Sequence, residues 1–386
     1  MECPHIPEIN YGAFSLRLHE QVFGQRLPLS GSLEITHRCN LRCAHCYINQ
    51  PAGDGAARRR ELGAEQWYGL LDEMAAAGCL WLCFTGGEPL LRPDFPDIYR
   101  HAKQCGLLLT LFTNGTLVTP ALADFLAKWR PFKVEISLYG ITPQTYESVT
   151  GVPGSFTKCM AGIELLLARR VPVAVKTMVM TLNRHELPAM EAWAADRGLR
   201  FRYDAVLNPR LDGSQKPCAL RLSPEEAVAL DLADEQRMQD WRQFTEKYLA
   251  PAEPTDRLFR CGAGLHSFHI DSAGKLSVCL MARRASYTLR EGSFAAGWKF
   301  LREVREQKSN PETPCARCRL YALCGQCPGI AEAEMTLPGE PVAYYCRRAH
   351  LLAAALGLAP PTPLPEPPGT PAGRPPGFKQ KGPGAR

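Results

Sequence analysis

"SLEITHRCNLRCAHCY", residues 32–47, begins as a short apolar run and turns at once into a loop carrying Cys39, Cys43 and Cys46. The gaps are three residues and then two. Metal sites built only from protein usually have four ligands, so this loop supplies an incomplete set. Working outward, "LWLCFT" (80–85), "LLLTLFT" (107–113), "KVEISL" (133–138), "VAVKTMVM" (173–180) and "RFRYDAV" (200–206) are further apolar runs of strand length. Helical patterns separate them, as at 64–78, 94–106 and 155–170. Continuous apolar strands alternating with helices predict right-handed βαβ units and a parallel sheet. Six such units predict an α/β fold, a partial (β/α)6 TIM-like barrel open on one side.

The chain has 386 residues, 45% hydrophobic and 22% charged, an ordinary globular balance. Its net charge is +6, and part of that excess sits in the last 27 residues, where four basic side chains face one glutamate. No Lys/Arg-rich run suggests a nucleic-acid surface. There is no basic start followed by an apolar run, and no stretch of the ~18 apolar residues a membrane span requires. A cytoplasmic, reducing setting is therefore expected, where clustered cysteines among the 16 present read as metal ligands rather than disulfides. The expected organisation is an N-terminal extension (1–31), the barrel (32–215), a polar helical bridge (216–260), a cysteine- and loop-rich unit stapled by metal (261–356) and a disordered Pro/Gly-rich tail (357–386).

Four motifs fall at C-terminal strand ends, where such barrels place active sites. They are the cysteine loop, "GGEP" (86–89), "TNGT" (113–116) and "SLYG" (137–140). Gly86 and Gly87 allow backbone to approach a ligand closely. Glu88 can accept from an ammonium group, and Asn114 reads as a turn cap. Thiolates suit iron–sulfur clusters, copper(I) or zinc.

Cys39, Cys43, Cys46 and the following Tyr47, with "GGEP" beside them, resemble the signature of the radical S-adenosylmethionine (SAM) enzymes. The resemblance implies that three cysteines hold a [4Fe–4S] cluster and that the amino and carboxylate groups of SAM take the fourth iron. An open coordination position is the logic of a catalytic metal. It also implies cofactor contacts from Tyr47, Gly86, Gly87, Glu88 and Ser137, and a basic partner for the SAM carboxylate in Lys158. The other reading of the triplet is a structural zinc site or three core cysteines.

Seven more cysteines follow: Cys261, Cys279, Cys315, Cys318, Cys324, Cys327 and Cys346. Their order resembles the SPASM (twitch-like) extension, which holds auxiliary [4Fe–4S] clusters in peptide-modifying relatives. By position, Cys315, Cys318, Cys324 and Cys346 would close one cluster, and Cys261, Cys279 and Cys327 would hold another. Ser267 stands where some relatives have a further cysteine, which leaves the latter set open to a substrate thiolate or to Cys218. Paired Cys-x2-Cys units also suit a zinc ribbon. Cys79, Cys83, Cys105 and Cys159 are expected in the core, and His37, His45, His266 and His269 are expected to be structural or to stand behind the ligands.

The resemblance implies reductive cleavage of SAM to a 5′-deoxyadenosyl radical and hydrogen abstraction from a peptide or protein substrate, giving a cross-link such as a thioether, or an epimer. The electron would come from a donor such as flavodoxin or ferredoxin. With 31 residues before the first strand, leader recognition would fall to a separate protein. Other branches are a sulfatase-type formylglycine maturase and haem or quinone cofactor maturation. A non-catalytic iron–sulfur carrier or zinc-ribbon binding module is the alternative of another class, and "GGEP" argues against it because a carrier needs no SAM pocket.

Overall fold

The computed structural model describes residues 11–22, 24–48, 50–249, 256–334, 336 and 339–358. Cys3 and residues 359–386 of the expected tail lie outside the described residues. Six strands, β1 (Ser30–Thr36), β2 (Trp81–Gly86), β3 (Leu108–Thr113), β4 (Lys133–Ser137), β5 (Val173–Met178) and β6 (Arg200–Asp204), pair in sequence order and all in parallel. This is the expected open α/β half-barrel. Helices return the chain between strands, and their starts follow local chemistry. Thr119 and Thr142 cap the helices Pro120–Lys128 and Pro143–Thr150 through their side chains, each with proline in the first turn.

The sheet is two-faced rather than apolar on both sides. Leu33, Ile35, Leu82, Phe84, Leu109 and Leu111 point outward and are buried against the helices. Trp67, Leu70, Leu71 and Met74 of the helix Ala64–Ala76 meet them at helical spacing. The alternate residues Ser32, Glu34, Cys83, Thr85, Thr110, Glu135, Lys176 and Arg202 lie on the concave side, in register across the strands. The reading of the strands as continuous apolar runs is corrected here: period-two alternation lies inside runs in which Cys83 and Phe112 count as apolar. Cys83 is accordingly a half-buried concave-face residue and not a core one, whereas Cys79 and Cys159 are buried. The helix Tyr11–Gln21 lies at the opposite mouth, with Tyr11 and Phe14 ring centroids 6.3 Å from Trp81 at the start of β2.

The cysteine-rich segment opens with β7 (Ser267–Ile270), which pairs in parallel with β1, and continues through β8 (Lys275–Ser277) and β9 (Tyr287–Thr288), both antiparallel. The strand order is therefore β9-β8-β7-β1-β2-β3-β4-β5-β6. Gly31 has no room for a side chain at this seam, because a Cβ would overlap the Phe268 ring and lie 2.9 Å from Leu82. The segment is also less loop-rich than its composition suggests. It contains the helices Phe294–Arg305 and Ala343–Ala355, each with an apolar stripe in the core. Among the described residues no helix is long and apolar enough to cross a membrane.

Glu34 ties the two segments together. Its carboxylate is fully buried and accepts from Arg283 Nη1 at 2.7 Å and Nη2 at 2.8 Å, and from Tyr47 Oη at 2.7 Å. His37 Nε2 lies 2.9 Å from it and His269 Nε2 3.4 Å. Burial alone would raise its pKa; the facing His269, His37 and Arg283 hold it well below the usual carboxylate range. Glu34→Ala strands the half-buried Arg283 guanidinium and is expected to lower stability by about 3–5 kcal/mol. Glu34→Gln should lose less, and chemical denaturation of the anaerobic holoprotein compares the two.

Candidate functional site: a three-cysteine loop on the barrel rim

The loop from His37 to Tyr47 leaves the C-terminal end of β1 and is held from four sides. Below it, Gly87 N donates to Thr36 O at 2.7 Å and Glu88 N to Arg38 O at 2.9 Å. A Cβ on Gly86 would overlap the Thr36 carbonyl oxygen; one on Gly87 would overlap that of Arg38 and lie 2.5 Å from that of His37. The two glycines are thus needed by the backbone that carries Cys39. At the second side Asn40 and Asn114 share a 3.0 Å hydrogen bond, and Asn40 donates to Thr116 Oγ1 at 2.8 Å. At the third, Arg42 N and Ala44 N donate to the Thr150 and Val149 carbonyls, both at 2.9 Å. At the fourth, Tyr47 reaches Glu34, and its own carbonyl accepts from Leu211 N at 3.0 Å in the chain beyond β6.

Glu88 is buried, and protein donors occupy its carboxylate: Thr113 Oγ1 at 2.7 Å, Asn114 N at 2.8 Å and Leu90 N at 3.0 Å. Burial pushes its pKa up to about 7. The side chain therefore fastens the end of β3 to the turn after β2, and the turn's backbone is what faces the loop. Asn114 caps its turn, accepting from Thr116 N at 2.9 Å, and its amide also points at Cys39 Sγ from 3.8 Å. Ser137 ends β4, half-buried, beside Tyr139. Lys158 lies exposed on the helix Ser155–Leu167, whose buried side is Ser155, Cys159, Gly162 and Ile163. The structure does not bring it into the loop.

Two neighbours were not singled out as site residues from sequence. Tyr139 feels the charges of all three cysteines, and its ring centroid is 4.7 Å from that of His45. His45 Nδ1 is buried without a hydrogen-bond partner, and burial pulls this imidazole down to about 4. No single-sequence signal distinguishes them beyond the position of His45 between two cysteines.

The three thiols fit a metal cluster. Burial, the Glu88 charge and Cys46 push Cys39 up to about 12, and burial with the other two cysteines raises Cys43 well above a free thiol. As bare thiols they are inert; a cationic cluster reverses that electrostatics by taking them as thiolates. Donors are already aimed at sulfur, with Leu41 N 3.4 Å from Cys39 Sγ, and such hydrogen bonds tune iron–sulfur centres.

The C-terminal cysteines fall into two neighbourhoods. Cys315, Cys318, Cys324 and Cys346 line one cavity with Leu320, Tyr321 and His350. Cys327 instead feels Cys279 and Cys261. Tyr321 stands between, under the charges of Cys327, Cys261 and Cys315, with the Arg260 guanidinium 4.1 Å above its ring. Cys218 is elsewhere: its thiol donates to Gln215 Oε1 at 3.3 Å, and its charged neighbours are Arg221 and Glu334. Ser267 is a β7 strand residue paired with Ser30. His269 is a buried structural histidine, its Nδ1 2.8 Å from Ser32 Oγ, and His266 packs near His19. Cys105 is corrected from the core: its thiol donates to the exposed Asp72 carboxylate at 3.3 Å.

The radical SAM superfamily model matches residues 33–194. Mycofactocin maturase MftC of Mycobacterium ulcerans is 31% identical over 325 residues, 80% of this chain and 85% of that protein. The chain belongs to the radical SAM superfamily. The AdoMet-dependent heme synthase of Methanosarcina barkeri is 27% identical over 345 residues, 81% of this chain and 95% of that protein. The crystal structure of Streptococcus suis SuiB bound to precursor peptide SuiA shares the fold, with a TM-score of 0.62 at 15% identity, covering 88% of this chain and 82% of that one. This radical SAM chain is accordingly an enzyme whose family uses a [4Fe–4S] cluster and S-adenosylmethionine. Gly87→Ala should displace the Arg38–Cys39 backbone. The expected outcome is loss of SAM binding by calorimetry and lower iron content, with helical circular dichroism retained.

Proposed function

We propose that this chain is a peptide-modifying radical SAM enzyme in which Cys39, Cys43 and Cys46 hold the SAM-binding [4Fe–4S] cluster. The observation that carries the reading is the half-buried three-cysteine loop seated on the Gly86–Gly87 backbone at the mouth of an open, polar half-barrel. The bound cluster and SAM supply a 5′-deoxyadenosyl radical able to abstract hydrogen from an unactivated C–H bond. The protein's own part is placement. The Gly86–Glu88 backbone fixes the loop, Ser137 and Tyr139 border the cofactor's position, and the concave face receives the substrate. Auxiliary clusters are assigned to Cys315, Cys318, Cys324 and Cys346, and to Cys261, Cys279 and Cys327. The latter set has three ligands, leaving a position for a substrate thiolate. Similarity to mycofactocin maturase over four-fifths of the chain supports a peptide substrate. A small flavodoxin- or ferredoxin-type donor would supply the electron, and a separate leader-binding protein is a further expected partner.

Similarity spanning 95% of the heme synthase supports a second reading, a porphyrin substrate. Anaerobic co-expression with short peptides encoded beside the gene, in deuterated water, separates the readings by mass spectrometry. Loss of two hydrogens marks a cross-link and gain of one deuterium an epimer. SAM cleavage with no peptide change moves the weight to the porphyrin. Anaerobic iron analysis should give about twelve irons per chain, three [4Fe–4S] clusters. Replacing Cys39, Cys43 and Cys46 together by alanine should leave about eight and abolish SAM cleavage. Stoichiometric zinc would overturn the assignment.

A further inference from the structure

The concave face holds a charged patch that the cysteine loop does not use. Glu135 on β4 is buried there, its side chain 3% exposed. Three cations face it: Lys133 Nζ at 2.5 Å, Arg202 Nη2 at 2.6 Å and Lys176 Nζ at 3.6 Å. One carboxylate thus stands among three positive groups. The next acid on this face, Asp204 at the end of β6, is exposed and accepts from Val206 N at 2.8 Å. A purely structural network matches its charges, because an unmatched buried charge is costly.

Lys176 carries the imbalance. Its ammonium stands beyond hydrogen-bond distance of Glu135 and 3.0 Å from the Phe112 ring centroid. It pairs in register with Ser137, so it lies one strand from the cofactor side of the rim. The surroundings are open: Thr110, Phe112, Ser137 and Lys176 are all partly exposed on the concave side.

We propose that Lys176 and Arg202, backed by Lys133, form a subsite that receives a carboxylate of the peptide substrate next to the reacting centre. This rests on the peptide-modifying reading and names the chemistry its substrate must carry. Arg202 is half-exposed; Glu135 holds its Nε and Nη2, and the Nη1 end of the planar guanidinium is the part turned to an arriving carboxylate in this proposal. Lys176 sits deeper, against an aromatic face that excludes water from one side. Burial pulls its pKa down to about 7, against the opposing pull of Glu135. An arriving carboxylate favours the charged ammonium, so binding and protonation of Lys176 reinforce each other. Glu135 keeps the cations from repelling one another in the empty site and orients Arg202 through two nitrogens. The carboxylate can come from an acidic side chain or from a peptide C-terminus.

The test is anaerobic titration calorimetry on the reconstituted holoenzyme with SAM bound. The probes are acetyl-alanyl-glutamyl-alanine amide, its glutaminyl counterpart, and the glutaminyl peptide with a free C-terminal acid. A carboxylate-bearing probe should bind about tenfold or more tightly than the glutaminyl amide, the strength of one charge-assisted pairing. Preference for the glutamyl amide identifies a side-chain carboxylate, and preference for the free acid a C-terminal one. Lys176→Met should abolish the preference, and Arg202→Gln, on the more exposed strand, should reduce it without the risk of misfolding. Equal binding of all three probes, no binding of any, or a preference surviving in both variants overturns the proposal. SAM binding and iron content on the same samples keep the two readings apart. If both are intact and the preference is absent, the subsite fails alone; if SAM does not bind, the function assigned to the rim fails.

Discussion

At the centre of the molecule a single carboxylate, Glu34, is removed from water and surrounded by partners from three parts of the chain. His37 and Tyr47 come from the cysteine loop, His269 from β7 and Arg283 from the segment beyond β8. A buried acid is tolerated only when its charge is answered on every side, so each partner has to be in place together. The cysteine loop therefore cannot take its shape independently of the C-terminal segment. The glycine turn under the loop acts in the same direction: two positions without Cβ let the Thr36–Arg38 backbone settle onto β2, and two amides lock it there. The rim is rigid because electrostatics above and close packing below agree.

The half-barrel separates its tasks by face. Outward residues bind the helices through apolar contact, while the concave side keeps polar and charged groups in a partly open cup. A closed eight-stranded barrel fills its interior with side chains. Six parallel strands with a side extension leave the concave side partly exposed, as at Thr110, Phe112, Ser137 and Lys176. The chemistry on the rim and the recognition on the wall can then vary separately, as when one scaffold hosts different reactions.

Most of the architecture was legible in the sequence. Each of the six strands was foreseen within about three residues at either end, because Gly-, Pro- and Asn-containing turns bracket short β-branched and leucine-rich runs. The cysteine loop and the glycine turn were visible from spacing. What escaped was anything set by pairing over distance. Cys83 read as core because its neighbours Leu82 and Phe84 are apolar, and only the pleat turns it inward. The pairing of Glu34 with Arg283 and of Glu135 with Arg202 spans 249 and 67 positions, which no local pattern reveals. The hydrogen bonds that Glu88 accepts from Thr113 and Asn114 come from the next strand and its turn, beyond any local pattern. The helix Phe294–Arg305 was masked by cysteine-rich surroundings although its buried positions have helical spacing.

The sheet order bears on how the molecule is made. The outer edge of β1 meets no partner until β7 exists, and Ser30 contacts His266, 236 positions further along the chain. At ordinary elongation rates this edge waits roughly 10–50 s on the ribosome with its hydrogen-bonding groups unpaired. An apolar edge left open that long would invite association with other nascent chains. The strand entering that interval reads Ser-Gly-Ser at its start and carries Glu34 further along. Hydroxyls, a glycine and a carboxylate make a poor template for foreign strands. The same glutamate that later closes the finished core thus sets a charge on the open strand while its far partner is still being synthesised.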